Sequence, residues 1–334
     1  MTTILKVAQR AGVSRTTVSH VLNHADRVSK PLRERVEAAI AELGYVPNPQ
    51  AKSLRTGRTN VVATLIPDIR NPFYTHLVKT AQLALEEAGI DTLIFNTDVP
   101  GGHSTEHVRD YLRQISHKRV DGVIIGDFAL HGMHDALVDL DMPAAFIGHL
   151  PSKAVDSVEI DDFGGGYQMG AYLAAKGHKR VALVTGPSAF KEAMSRAAGF
   201  EQGLRDNGVE TPADLRFEGS YLPPSGQAAV EWVLAKPAGE RPSAIFFSNY
   251  LMASGGLAEL YDRGVAVPSD IAVAVFGDDP QFEYVRPRLT RVGAPISTLA
   301  ERAIAMLLER IERKYDGPPR SETVPCVLHA LDSA

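Results

Sequence analysis

From residue 60 onward, short apolar runs rich in β-branched residues alternate with stretches long enough for helices. That alternation restricts the chain to an α/β architecture built on parallel sheets. The runs are VVATLI at 61–66, TLIF at 92–95, VDGVIIG at 120–126, AAFIG at 144–148, VALVTG at 181–186, SAIFFS at 243–248 and IAVAVFG at 271–277. They are apolar throughout rather than at every second position, as strands covered by helices on both faces must be. Helical patterns near 74–88, 104–117, 164–176, 193–206, 225–235, 251–263 and 297–314 supply the crossovers that parallel strands need. So much βα sequence exceeds one ordinary core, and two lobes with a ligand cleft at the carboxyl ends of their strands are expected.

The first 58 residues read differently. They hold ten Lys or Arg against four Asp or Glu, a formal charge of +6, whereas the rest of the chain carries 25 against 36, or −11. A basic head on an acidic body places nucleic-acid binding at one end. Thr3 can cap a first helix with Ile4, Val7, Ala8 and Ala11 along one stripe, and Gly12 stops it. Ser14 caps a second helix, in which Val18, Val21 and Leu22 share an inner face and Arg15, Thr16, Thr17, Ser19 and His20 turn outward. A third helix begins at Ser29 with Pro31 in its first turn, carries Val36, Ala39, Ile40 and Leu43 inward, and ends at Gly44. Two capped helices, a short glycine turn and a polar outer face together predict a helix-turn-helix that enters a DNA major groove.

Composition narrows the function classes. Hydrophobic content of 44% and charged content of 22% are those of a soluble globular protein. One cysteine, Cys326, leaves no disulfide framework and no cysteine-based zinc cluster, as a reducing cytoplasm would favour. The start, MTTILKVAQRAG, lacks the apolar core of a signal peptide, and no run is long enough to span a bilayer, so a cytoplasmic protein without a membrane partner is expected. No phosphate loop, Gly-x-Ser-x-Gly elbow or His-Glu-x-x-His pair occurs, and the glycines at 164–166 have the wrong spacing to Gly170 for a dinucleotide fingerprint. His131 and His134 could share a helix face, yet two histidines without further ligands do not make a metal site. Neither an enzyme nor a cofactor is expected.

Between head and body, Asn48, Pro49 and Gly57 delimit about two helical turns at 49–56, too short to be stable alone. With this linker the chain resembles bacterial regulators of the lac repressor family, its head being nearest the purine repressor type. The resemblance rests on ILKVAQRAGVSRTTVSHVLN, ELGYVPNPQAKSLRTGRT, NPFYTHLV at 71–78, VDGVII at 120–125, GHKRVALVTG at 177–186, RAAGFEQGL at 196–204 and EYVRPRLTRV at 283–292. It implies a homodimer on palindromic double-stranded operator DNA, with paired hinge helices that insert Leu54 into the minor groove beside Ala51 and Arg55. It assigns base reading to Arg15, Thr16 and His20, and phosphate contacts fit Thr17, Ser19 and Asn23. Further phosphate neutralisation is expected from Lys6, Arg10, Lys30, Arg33, Arg35 and Lys52.

The resemblance also implies an all-α head at 1–46, a hinge at 47–59 and a body at 60–334 like periplasmic sugar-binding proteins. One lobe of that body would be 60–161 with 291–322, the other 162–290 with 323–334. Effector-contact positions fall on Phe73, Tyr74, Asp127, His149, Arg196 and Tyr221. Arg196 would clamp the ligand, the aromatic residues would form its walls, and His149 would be a neutral group near the opening. The usual Gly-Phe-Asp-Asp run reads Val275, Phe276, Gly277 and Asp278 here, and Asn249 is followed by Tyr250 rather than aspartate. Asp278 is the candidate replacement for the carboxylate missing at Gly277, and the loss leans toward an effector, a sugar or sugar derivative, that bears an acidic group. A solute-binding protein of periplasmic type is the alternative that the body alone would fit. The chain ends at Ala334 without a leucine heptad, so a dimer rather than a tail-linked tetramer is expected.

Overall fold

A computed structural model describes residues 2–24, 27–46, 57–97, 105–117, 120–127, 130, 134–138 and 140–334. The chain divides into two compact units between Thr59 and Asn60.

The first unit contains helices α1 (Ile4–Ala11), α2 (Arg15–Asn23) and α3 (Lys30–Leu43). Thr3 and Ser14 cap α1 and α2 through side-chain oxygens that accept from the backbone of Lys6 and Thr17. Gly12 takes the left-handed conformation (φ 62°) that ends α1, and Gly44 does the same for α3. One valine from each helix, Val7, Val18 and Val36, is sealed from solvent in the shared core. Arg35 donates through Nη2 to the Ala11 carbonyl at 2.6 Å, satisfying an orphan acceptor at the end of α1. Arg35 is nevertheless exposed, and among the described residues only this one guanidinium nitrogen is engaged by the fold. Arg10 is likewise paired with Glu42 at 2.6 Å. The expected hinge, with Ala51, Lys52, Leu54 and Arg55, lies outside the described residues, as do His131 and the side chains of Asn23 and His134.

The second unit holds two six-stranded sheets. The first contains β1 (Val61–Ile66), β2 (Asp91–Asn96), β3 (Gly122–Gly126), β4 (Ala144–Ile147), β5 (Asp156–Ile160) and β11 (Ser321–Val324). Its order is β11-β5-β4-β3-β1-β2, and every pairing is parallel. The second contains β6 (Val181–Thr185), β7 (Arg216–Glu218), β8 (Ala244–Phe247), β9 (Ala272–Phe276), β10 (Thr290–Gly293) and β12 (Val327–His329). Its order is β12-β10-β9-β8-β6-β7, parallel except for the β10–β12 pair.

The covering helices are α4 (Pro72–Glu87), α5 (Thr105–His117), α6 (Asp162–Ala175), α7 (Lys191–Asp206), α8 (Pro223–Leu234), α9 (Tyr250–Asp262) and α10 (Ile296–Ile311). The central strands β3, β4, β6, β8 and β9 are buried along their whole length, as a sheet with helices on both faces requires. The chain passes between the sheets at β5–α6, β10–α10 and β11–β12. Two expected lobe boundaries shift accordingly. Residues 291–292 pair with β9 and 291–293 with β12, so they stay in the second sheet, and residues 323–324 pair with β5 and stay in the first. Each strand finishes its hydrogen-bonded ladder before the chain changes lobe.

Candidate functional site

On the head, α2 exposes Arg15, Thr16 and His20 on the face opposite Val18 and Val21. Thr17 and Ser19 are half-buried, and the Thr17 hydroxyl lies 2.9 Å from that of Ser14, so part of its bonding capacity already serves the cap. His24 stacks edge-on against His20, with ring centroids 6.4 Å apart. The exposed row has the size and donor pattern that a major groove reads, and a long bidentate donor leads it.

In the body, a cavity of about 340 Å³ opens between the two sheets, bordered by the ends of β3, β4, β5 and β9. All seven effector candidates reach it: Phe73 and Tyr74 from the first turn of α4, Asp127 after β3, His149 after β4, Arg196 from α7, Tyr221 before α8, and Asp278 after β9. Asn71 caps α4 through the Phe73 N–H, which aims the two aromatic rings at the opening. Those rings meet edge to face at 5.0 Å, and the Tyr74 hydroxyl donates to the Asp127 carbonyl at 2.7 Å.

Arg196 is held from three sides. Nε donates to Asp162 at 2.6 Å, Nη1 donates to the Ser248 carbonyl at 2.9 Å, and the guanidinium lies 4.0 Å above the Phe276 ring centroid. Burial opposes its charge, yet the adjoining Asp162 prevails and raises its pKa above the ordinary arginine value. Burial in turn pushes the Asp162 carboxyl up, and Arg196 draws it back only in part. Burial also pushes the phenols of Tyr74 and Tyr221 well above their usual range, so both are neutral hydrogen-bonding groups.

Tyr221 adopts φ 64°, unusual for a bulky residue, and Asn249 holds that turn by donating Nδ2 to the Tyr221 carbonyl at 2.9 Å while capping α9. The Tyr221 ring lies in the space a side chain at Gly186 would need. His149 is the bridge between lobes. Its Nε2 lies 3.0 Å from Lys191 Nζ on α7 and its Nδ1 lies 3.1 Å from Glu159 Oε2 on β5. A protonated lysine can only donate, so Nε2 faces a donor while Nδ1 faces the Glu159 carboxylate.

The departure at Gly277 coincides with a backbone conformation that glycine permits. Its φ of 130° is open to glycine and strained for aspartate, and Gly293 packs against its Cα and carbonyl carbon. One residue on, Asp278 lines the cavity but accepts from Arg291 Nε at 3.0 Å, with His329 at 3.6 Å on the same oxygen. Its availability as a replacement ligand carboxylate is thereby reduced. The cavity does not favour an acidic ligand either. Asp68, Asp127, Glu159, Asp162, Glu192, Asp278 and Asp279 all border it, against one guanidinium among the described residues. Residue reasoning missed Asp162, Glu159 and Glu192, because no periodicity distinguishes a carboxylate facing a cleft from one facing solvent.

Residues 3–48 match the lacI family of bacterial regulatory proteins, and residues 171–333 match the periplasmic binding protein-like domain. The chain is 31% identical over 332 residues to the HTH-type transcriptional repressor PurR of Escherichia coli O139:H28 (strain E24377A / ETEC), covering 98% of this chain and 96% of that protein. Among solved structures it is similar to the transcriptional regulator CelR in complex with cellobiose (TM-score 0.71, 31% identity, all of both chains). It is also similar to the lac repressor bound to ONPG in the repressed state (TM-score 0.84, 25% identity, 100% of this chain and 99% of that one). Head, body and full-length similarity agree: the chain belongs to the lacI family of bacterial regulatory proteins and is a DNA-binding transcriptional repressor with a periplasmic-binding-protein-like body.

Proposed function

We propose that the chain binds a near-palindromic operator as a cytoplasmic homodimer, and that a small polar effector, a sugar or sugar derivative, controls that binding from the cleft. It acts by binding and not by catalysis. The observation that carries this reading is the preset Arg196 in an aromatic-walled cavity between two lobes. Aromatic faces cover the C–H surfaces of a sugar ring, and a planar donor oriented before binding loses little entropy when it meets the ring oxygens. Cellobiose in the similar CelR structure supports the ligand class.

Three chain crossings join the lobes, so a ligand that contacts both biases their closure. The hinge at 49–56, with Ala51, Leu54 and Arg55, is the element that such closure would order or release. Arg15, Thr16 and His20 would read bases, and Thr17, Ser19 and Asn23 would hold phosphates. Arg196→Leu tests the reading. It is expected to abolish the effect of sugars on operator affinity in an anisotropy titration and to leave ligand-free DNA binding intact. A variant that still responds with unchanged potency would remove the cleft from the mechanism.

A further inference from the structure

The carboxylates around the cavity are unequally provided for. Asp162 has Arg196, Asp68 has Arg70, Glu159 has His149 and Asp278 has Arg291. Glu192, on the first turn of α7, is only 8% exposed and lines the cavity, and its Oε1 has no hydrogen-bond partner. Asp279, 3% exposed and also lining the cavity, accepts the Gln281 N–H through Oδ1 and leaves Oδ2 in the same condition. A buried carboxylate oxygen without a donor is costly, and such a cost persists where a molecule absent from the free protein completes the site.

The missing group is a donor, and its charge can be argued. Arg196, the guanidinium bordering the cavity, already spends Nε on Asp162 and Nη1 on Ser248. Arginines pair with Asp68, Asp162 and Asp278, whereas the carboxyls of Glu192 and Asp279 form no ion pair among the described residues, which makes this part of the cavity attractive to positive charge and repellent to an anion. A sugar hydroxyl would satisfy one oxygen of Glu192 and leave its charge uncompensated. An ammonium supplies donors and charge together in a charge-assisted bond.

We propose that the effector is a sugar derivative carrying a basic nitrogen, and that Glu192 is the specificity-determining group that receives it. This rests on the cleft being the effector site. Burial pushes the Glu192 carboxyl above its ordinary range in the free protein, and an ammonium beside it would oppose that shift.

The test uses the full-length protein and matched probes: glucose, galactose and mannose, each with its 2-amino-2-deoxy and its N-acetylated counterpart, titrated calorimetrically. In at least one series the amine is expected to bind about tenfold tighter than both the hydroxyl parent and the N-acetyl form, the difference between a charge-assisted and a neutral hydrogen bond. Glu192→Gln is expected to erase that preference, bringing the amine to the affinity of its parent sugar. Its ligand-free melting temperature should equal or exceed that of the wild type, which a structural role for Glu192 would not allow. Parent sugars that bind as tightly as their amines, or an E192Q variant that keeps the preference, would overturn the inference and leave the cleft reading standing. If no probe in any series binds, or if Arg196→Leu binds them unchanged, the cleft reading falls and this inference with it.

Discussion

Asp156 joins three segments of the first lobe. Its side chain is fully buried at the start of β5 and accepts from Arg310 on α10 at 2.8 and 3.0 Å. It also accepts from Arg320 just before β11, through Nη2 at 2.9 Å and the backbone N–H at 2.8 Å. Both guanidiniums also lie over Tyr315, at 4.5 and 4.0 Å from its ring centroid. Removing one partner of a buried ion pair leaves the others uncompensated, so Asp156→Asn is expected to cost about 3 kcal/mol in urea unfolding. Burial raises the Asp156 carboxyl, but the two arginines prevail and its pKa is lowered. The unfolded chain therefore binds that proton more readily. The stabilisation is full above about pH 4, where the unfolded aspartate is ionised, and is lost as pH falls through the lower folded value. An acid titration of stability should show a shallower decline below that point for the variant than for the wild type. Equal acid limbs would take Asp156 out of the acid response.

At the scale of elements, α6 and α7 form an unusually close pair. Side chains at Gly166 and Gly170 would run into the Arg196 and Phe200 carbonyls, and side chains at Gly199 and Gly203 into those of Phe163 and Tyr167. Within the glycine run at 164–166, Gly166 serves helix approach and sits against the Arg196 carbonyl, while Gly164 packs on the Asp161 side chain and Gly165 on Cys326 and Phe276. Gly199→Ala is expected to force the helices apart, destabilising the body by about 1–3 kcal/mol and weakening effector binding in parallel. A melting curve and a ligand titration read the two effects, and a variant with unchanged melting would contradict the close packing. In the head, Gly12→Ala meets both a left-handed φ and the Arg35 Nη2 atom 2.8 Å away, so head melting should fall by about 1–2 kcal/mol. Hydrogen exchange of the α1 amides would register it.

Much of this arrangement was legible beforehand. Thr3, Ser14, Gly12 and Gly44 announce helix ends by local chemistry, and VALVT or AVAVF announces a buried strand by composition alone. The strands that escaped are β5, β7, β10, β11 and β12, of three to five residues, several with polar or exposed positions where β-propensity is weak and pairing is decided by the neighbour. The cleft was legible through Arg196, Tyr221 and the aromatic pair at 73–74, which a resemblance could mark. Glu192 and Asp162 were not, since their roles exist only once α6 and α7 are brought together. The setting of Gly277 also needed the backbone, because its φ of 130°, strained for aspartate, is not readable from the sequence.

For the whole molecule, the charge asymmetry of +6 on the head and −11 on the rest confines DNA attraction to one end. Operator affinity is expected to fall with salt at a log–log slope of about −0.9 per phosphate neutralised. Lys6→Ala should flatten that slope by about one unit, whereas Arg35→Ala should act through head stability because its guanidinium caps α1. Leu54→Ala is expected to weaken specific binding by about 1–3 kcal/mol and to reduce DNA bending in a circular-permutation assay, with non-specific binding little changed. The most direct measurement of the central claim is selection of genomic fragments by the full-length protein, with wild type and Arg15→Ala side by side. The wild type is expected to enrich one near-palindrome whose half-sites lie about 10 bp apart, centre to centre, and Arg15→Ala is expected to lose that enrichment. Fragments with no shared sequence, or the same set enriched by both proteins, would contradict it.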